Sequence, residues 1–254
     1  MGLAVLENQV GILCVICMVL LLPAVCTSHD ISTYSSRATY YGSQNSHASP
    51  SGACGFGEFG KTVNNGSVTG VSTLYRNGAG CGACYRVKCT SSQYCSERGV
   101  DVVVTDHGGG DKIDFILSYQ AYARLARRGS EWAKELFSRG VIDIEYQRIS
   151  CRYPGHNLMF KVHEQSRYPN YLAIAVIYAA GINDITAVQL CQEDCKQWRS
   201  MRKFFGAVWD MSNSVPSGPI KVRFQVGGSK WVESENNLPA SWNAGDAYDS
   251  NIQL

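Results

Sequence analysis

Six cysteines, Cys54, Cys81, Cys84, Cys89, Cys95 and Cys151, crowd one half of the chain, whereas the half after residue 155 holds only Cys191 and Cys195. Cross-links at that density decide which strands can be neighbours, so the oxidation state of these thiols comes first. The N-terminus bears on it. Val10 to Val25 is an almost purely apolar run containing Pro23, shorter than the roughly 20 residues a membrane-crossing helix requires but suited to a secretory signal. Small residues Ala24, Cys26, Thr27 and Ser28 follow, so the expected signal spans residues 1–28. It departs from the usual pattern in having no Lys or Arg ahead of the run, where Glu7 stands instead. Cleavage removes Cys14, Cys17 and Cys26 from the 11 cysteines and leaves an even eight. In an oxidising compartment these read as disulfides. Cys81-Gly-Ala-Cys84 with Cys89 and Cys95 also has the spacing of a tetrahedral zinc cluster, which secretion disfavours. Spacing alone leaves the six-cysteine pairing open among about 15 possibilities, while Cys191 and Cys195 are expected to pair locally.

Composition divides the mature chain into two domains, 29–154 and 155–254, joined by the turn-forming Tyr153-Pro154-Gly155. A formal net charge of +2, with no basic run, gives no reason to expect nucleic acid. No later segment matches the hydrophobicity of the first, so no membrane span is expected after cleavage. The histidines show no metal-ligand spacing, and neither a metal nor another cofactor is expected.

In the first half, 38–41, 83–89, 100–105 and 141–149 are rich in β-branched and aromatic residues and read as strands. Residues 118–128 read as a helix, with Ser118 as N-cap and arginines in the last turn. Together they predict a small disulfide-laced barrel with one or two helices. In the second half, 158–162, 171–178, 185–190, 204–209, 220–226 and 230–233 read as short strands separated by turns, the pattern of an antiparallel β-sandwich. Trp198, Trp209, Trp231 and Trp242 are read as core anchors of that sandwich.

These pieces resemble the expansins along nearly the whole mature chain. The matching segments are Ala38-Thr39-Tyr40-Tyr41-Gly42, Gly52-Ala53-Cys54-Gly55-Phe56-Gly57, Cys81-Gly82-Ala83-Cys84-Tyr85-Arg86-Val87-Lys88-Cys89 and Thr105-Asp106 in the first half. In the second they are Tyr171-Leu172-Ala173, Gly206-Ala207-Val208-Trp209, Ser217-Gly218-Pro219 and the ending Ser250-Asn251-Ile252-Gln253-Leu254. The resemblance implies a mainly β protein: a six-stranded double-psi β-barrel similar to family-45 glycoside hydrolases, then an immunoglobulin-like antiparallel β-sandwich that binds carbohydrate. It also implies the pairs Cys54–Cys81, Cys84–Cys151 and Cys89–Cys95. Where expansins proper carry His-Phe-Asp, this chain has Lys112-Ile113-Asp114-Phe115, without the histidine. That departure, with the extra Cys191 and Cys195, looks most like the plant expansin-like B group.

Inverting glycoside hydrolysis uses one carboxylic acid and a second carboxylate that activates water. Asp114 resembles the acid, with Asp106 close by, but Ser43 stands where the family-45 hydrolases place the base, and a lone hydroxyl does not serve as one. The expectation is therefore no hydrolysis and no catalytic residue, Asp106 and Asp114 being remnants of such a site. The alternatives are a weak glycan-cleaving enzyme using Asp114 as acid, and a non-loosening wall lectin or defence protein. Sugar rings stack on aromatic faces while their hydroxyls need polar partners. The glycan-binding candidates are accordingly Thr39, Tyr40 and Tyr41 in the first domain, with one tyrosine turned to the core by strand alternation; in the second domain the resemblance implies Tyr171 and Phe205 as the binding platform. Asn65-Gly66-Ser67 is an N-glycosylation sequon. The resulting expectation is a secreted, monomeric cell-wall protein that binds cellulose or hemicellulose and loosens non-covalent glycan contacts.

Overall fold

The computed structural model describes residues 32–42, 51–192, 194–213 and 215–254. The expected signal segment and Ser43 lie outside the described residues. Strands β1 (Tyr34–Tyr41), β2 (Val68–Val71), β3 (Cys84–Cys89), β4 (Val100–His107), β5 (Phe115–Ser118) and β6 (Ile142–Ile149) close into a barrel in the order β1-β5-β2-β4-β3-β6. The β1/β5 and β2/β4 pairs are parallel and the other four antiparallel. Closure leaves no free edge. Alternate β-branched and aromatic residues, Val102 and Val104 of β4 and Phe115 and Leu117 of β5 among them, fill the buried core. Strands β2 and β5, four residues each, are absent from the sequence reading because so short a run shows little alternation.

Among the described residues three α-helices accompany the barrel: α1 (Phe59–Thr62), α2 (Tyr119–Arg124) and α3 (Ser130–Arg139). Ser118 caps α2, its hydroxyl accepting from the Ala121 amide at 3.2 Å. The helix stops at Arg124 rather than Arg128, because Ala126 bridges to Cys95 and the Arg127 amide donates to the Tyr94 carbonyl. Tertiary pairing there outweighs helix propensity. The disulfides are Cys54–Cys81, Cys84–Cys151, Cys89–Cys95 and Cys191–Cys195.

The second half forms two antiparallel sheets from β7 (Met159–Val162), β8 (Tyr171–Ile177), β9 (Ile185–Gln192), β10 (Arg199–Ser200), β11 (Arg202–Phe205), β12 (Val208–Ser212), β13 (Ile220–Val226), β14 (Lys230–Glu233) and β15 (Ala247–Asp249). One runs β10-β9-β13-β14 and the other β11-β12-β8-β7-β15. Phe160, Ile174, Leu190, Val222 and Phe224 share the buried core between them. The run 204–209, read as one strand, is instead a hairpin: β11 and β12 pair antiparallel across Gly206-Ala207. The tryptophan reading is corrected in half. Trp209 and Trp242 are buried, but Trp231 is exposed and Trp198 half-buried. Both indoles flank the Arg223 guanidinium, at 4.2 Å for Trp198 and 4.6 Å for Trp231. An indole face satisfies a cation at the surface without needing the interior.

Strand β8 is buried over six of its seven residues, which explains its unbroken apolar sequence. One face meets the second sheet, while Ala173, Ala175 and Ile177 join Val208, Cys54 and Phe56 in the barrel's core. Around this seam the Ala207 amide donates to the Cys54 carbonyl at 2.9 Å, and Asp184 pairs with Arg76 at 2.8 Å and Arg148 at 3.0 Å.

Candidate functional site

The parallel β2/β4 ladder slips in register between Thr69 and Gly70, so Asp106 comes to lie opposite Gly70. Asp106 Oδ1 accepts from two backbone amides, Ala53 at 2.6 Å and His107 at 2.8 Å. Two tyrosines attend it. Burial, reinforced by the Asp106 charge, pushes the hydroxyl pKa of Tyr41 far above the ordinary phenol value and raises that of Tyr75. The Tyr75 hydroxyl donates to the Ala53 carbonyl at 3.2 Å, and its ring stacks on exposed His107 at 4.5 Å.

Asp114 keeps separate company. Its Oδ2 accepts from Ser36 at 2.7 Å, and its charge, after burial, raises the pKa of Tyr146, whose ring stacks on Tyr34 at 5.6 Å. Val71 of β2 is paired on one side with His107 and on the other with Phe115. The two aspartates thus flank one strand end, their backbones roughly 10 Å apart by strand spacing.

Of the three β1 candidates, the structure brings only Tyr41 to Asp106. Tyr40 is a correction: its ring packs against Tyr122 and Phe137, each at 4.8 Å, and edge-on to Tyr119 at 6.2 Å, because strand alternation turns it to the helices. Thr39 spends its hydroxyl on the Gly140 carbonyl at 2.9 Å. Asn65 is exposed, while Ser67 of the same sequon is fully buried and hydrogen-bonded by Arg124.

In the second half, a bulge between Lys203 and Phe205 in the β11/β12 ladder breaks the two-residue alternation. Phe204 is left 43 % exposed, edge-on to Phe205 at 5.1 Å, with Arg202 over its ring at 5.4 Å. Phe205 is half-buried against Gly55 of the barrel and edge-on to His163, whose pKa is lowered chiefly by burial. Gly55 has Val208 and the Phe205 ring where a side chain would stand, so only glycine admits the ring. Tyr171 donates to Asp210 at 3.1 Å, and Arg202 grips the same carboxylate with two bonds of 2.9 and 2.7 Å. Those Arg202 bonds hold Asp210 below the usual carboxylate range, with burial opposing them and Tyr171 adding to them.

One set of groups spans the seam, from Asp106 and Tyr75 in the barrel to Phe205, Phe204, Arg202 and Tyr171 on the sheet, with buried Gly55 packed against the Phe205 ring between them. It offers aromatic rings beside hydrogen-bonding groups, the composition that takes up a sugar chain. Sequence reading missed Tyr75, Phe204 and the Arg202–Asp210 pair. The pair was findable, since residues of opposite charge eight apart across Gly206-Ala207 are hairpin partners. Among the described residues no cluster of three or more His, Cys, Asp or Glu side chains could hold a metal.

A closed six-stranded barrel stapled by disulfides and continued by a β-sandwich defines an expansin-type architecture. Two family models match the chain, the expansin C-terminal domain over residues 158–239 and one described as lytic transglycolase over residues 67–146. The chain belongs to the expansin family. It is 54% identical to Expansin-like B1 of Arabidopsis thaliana, covering 98% of this chain and 99% of that protein. Identity to Expansin-like B1 of Oryza sativa subsp. japonica is 44%, over 86% and 87%. Against Expansin-like A2 of Arabidopsis thaliana it is 34%, over 96% and 92%. The expansin-like B resemblance drawn from the absent histidine and the extra cysteine pair thus holds. Among solved structures, the fold is shared with the expansin of Clavibacter michiganensis, at 23% identity and a TM-score of 0.65 over 87% of this chain and 98% of that one. A mutant of that expansin, solved in complex with cellohexaose, gives a TM-score of 0.67 at 21% identity, with the same coverage.

Proposed function

We propose that this protein is secreted to the cell wall, binds β-glucan or hemicellulose along the surface from Asp106 to Tyr171, and loosens contacts between glycans without cleaving them. The observation that carries this reading is the close packing at the seam, where Gly55 receives the Phe205 ring and holds the barrel groups and the sheet groups near one another. In this reading Tyr41 and Asp106 on the barrel and the aromatic side chains of the sheet together hold several sugar rings at once. Binding energy spread over such a length is available to separate a chain from its neighbours. The crystallised complex of the Clavibacter expansin mutant with cellohexaose supports a β-glucan ligand. Against hydrolysis stands the company each aspartate keeps: Asp106 is engaged by two backbone amides and Asp114 by Ser36. Ser43, where the hydrolases keep their base, brings no carboxylate. The protein acts as a monomer, with Asn65 glycosylated during secretion.

The deciding experiment applies purified mature protein to heat-inactivated wall held under load, alongside depletion by cellulose, xylan and xyloglucan and an assay for new reducing ends. Added extension and depletion without reducing ends are expected. Depletion without extension would leave a wall lectin. Reducing ends that vanish in Asp114→Asn would make it an enzyme.

A further inference from the structure

At the other end of the barrel lies a cationic groove that the proposed function does not use. β4 runs from Val100 to His107, so its ends stand roughly 23 Å apart at about 3.3 Å per residue. Asp106 sits at one end, and Arg98 just precedes the other. There the β3–β4 loop and the chain after α2 enclose an open cavity of about 530 Å³ lined by Thr90, Ser91, Ser92, Arg98, Arg127 and Arg128. The single acidic side chain in that lining is Glu97.

The walls are fixed. The Cys89–Cys95 disulfide closes one loop, Cys95 bridges to Ala126, and the Ser96 and Arg127 amides donate to the carbonyls of Leu125 and Tyr94 at 2.7 and 2.8 Å. The Arg127 guanidinium donates to the Gln93 carbonyl at 3.2 Å. Arg98 and Arg128 are exposed, and no carboxylate among the described residues is within ion-pairing distance of either.

We propose that this groove binds a polysaccharide bearing ring carboxylates, a uronate polymer. Guanidinium forks match carboxylates in bidentate geometry, and the serine and threonine hydroxyls match sugar hydroxyls. A neutral glucan offers the guanidinium groups no countercharge. An open groove admits a chain as readily as one sugar. The inference rests on the extracellular setting proposed above but not on the aromatic surface. It makes the protein a bridge, with neutral glycan held at one place and acidic glycan at another.

The test is affinity electrophoresis of the full mature protein in gels containing polygalacturonate, with cellulose depletion run in parallel. Retardation is expected that fades as ionic strength rises. The Arg98→Gln/Arg128→Gln variant should bind about tenfold more weakly, as loss of two charge-assisted contacts implies, with cellulose depletion unchanged. A charge-matched variant, Lys221→Gln/Lys230→Gln, removes two cations of the sandwich that pair with no carboxylate among the described residues and should bind as the parent does. Fully methyl-esterified polymer should not retard the protein. No retardation of the parent, equal weakening by both variants, or equal retardation by the esterified polymer would overturn the proposal. Failure of cellulose depletion alone would sink the aromatic-surface reading and leave this one standing.

Discussion

The barrel and the sandwich are held together by different means. The barrel carries three disulfides around a buried core of its own. The sandwich has one disulfide, spanning four residues, and relies on a core of large apolar side chains between two sheets. Cross-links restrict the unfolded chain of the barrel in addition to its core, whereas the sandwich depends on burial almost alone. The difference teaches where each region should fail.

Removing a large core side chain from the sandwich should cost most. Phe224→Ala, at a fully buried position, is expected to lose about 3–5 kcal/mol in denaturant unfolding; a loss below about 1 kcal/mol would show that packing is not what holds this half. Next comes the Cys84→Ala/Cys151→Ala pair. It opens a closed loop of 67 residues, worth about 4 kcal/mol by chain entropy, against about 2 for the four-residue Cys191–Cys195 loop. Equal losses from the two pairs would erase the contrast.

Binding should respond to smaller energies. Phe204→Ala is expected to weaken cellulose binding about tenfold, the contribution of one exposed aromatic face, with melting temperature unchanged. An unaltered depletion isotherm would move the platform elsewhere. The smallest effect is a pH dependence. Because Arg202 lowers the folded-state pKa of Asp210, the pair contributes stability that is complete above the unfolded carboxyl value of about 3.9 and is lost as pH falls through the lower folded value. Asp210→Asn should flatten that acid limb of the melting-temperature profile; an unchanged limb would assign it to other carboxylates.

The architecture was readable from sequence because strand composition, cysteine placement and ordered motifs agreed with one another. The site was readable in part. Thr105-Asp106 and Tyr41 announced themselves, and the structure brings Tyr41 to Asp106. Tyr40 was an equal candidate, because alternation leaves either of two adjacent tyrosines able to face the core, and only the position of α3, with Phe137, decides between them. Phe204 was hidden by a bulge, which no periodicity argument anticipates. Trp198 and Trp231 misled because hydrophobic bulk reads as interior, whereas a guanidinium partner keeps both indoles at the surface.

The meeting of Gly206 with Ala53 and Cys54 has a further consequence. A side-chain carbon on Gly206 would overlap the Ala53 carbonyl and stand 2.6 Å from the Cys54 Cα, so the two halves touch backbone to backbone with nothing compressible between them. A joint of that kind works as a fixed gauge. The distance from the barrel's aspartate to the sheet's phenylalanines is set by main chain, so a sugar polymer lying across both must match it in repeat and stiffness, and an exchanged sandwich would need its own glycine at this point to keep the spacing.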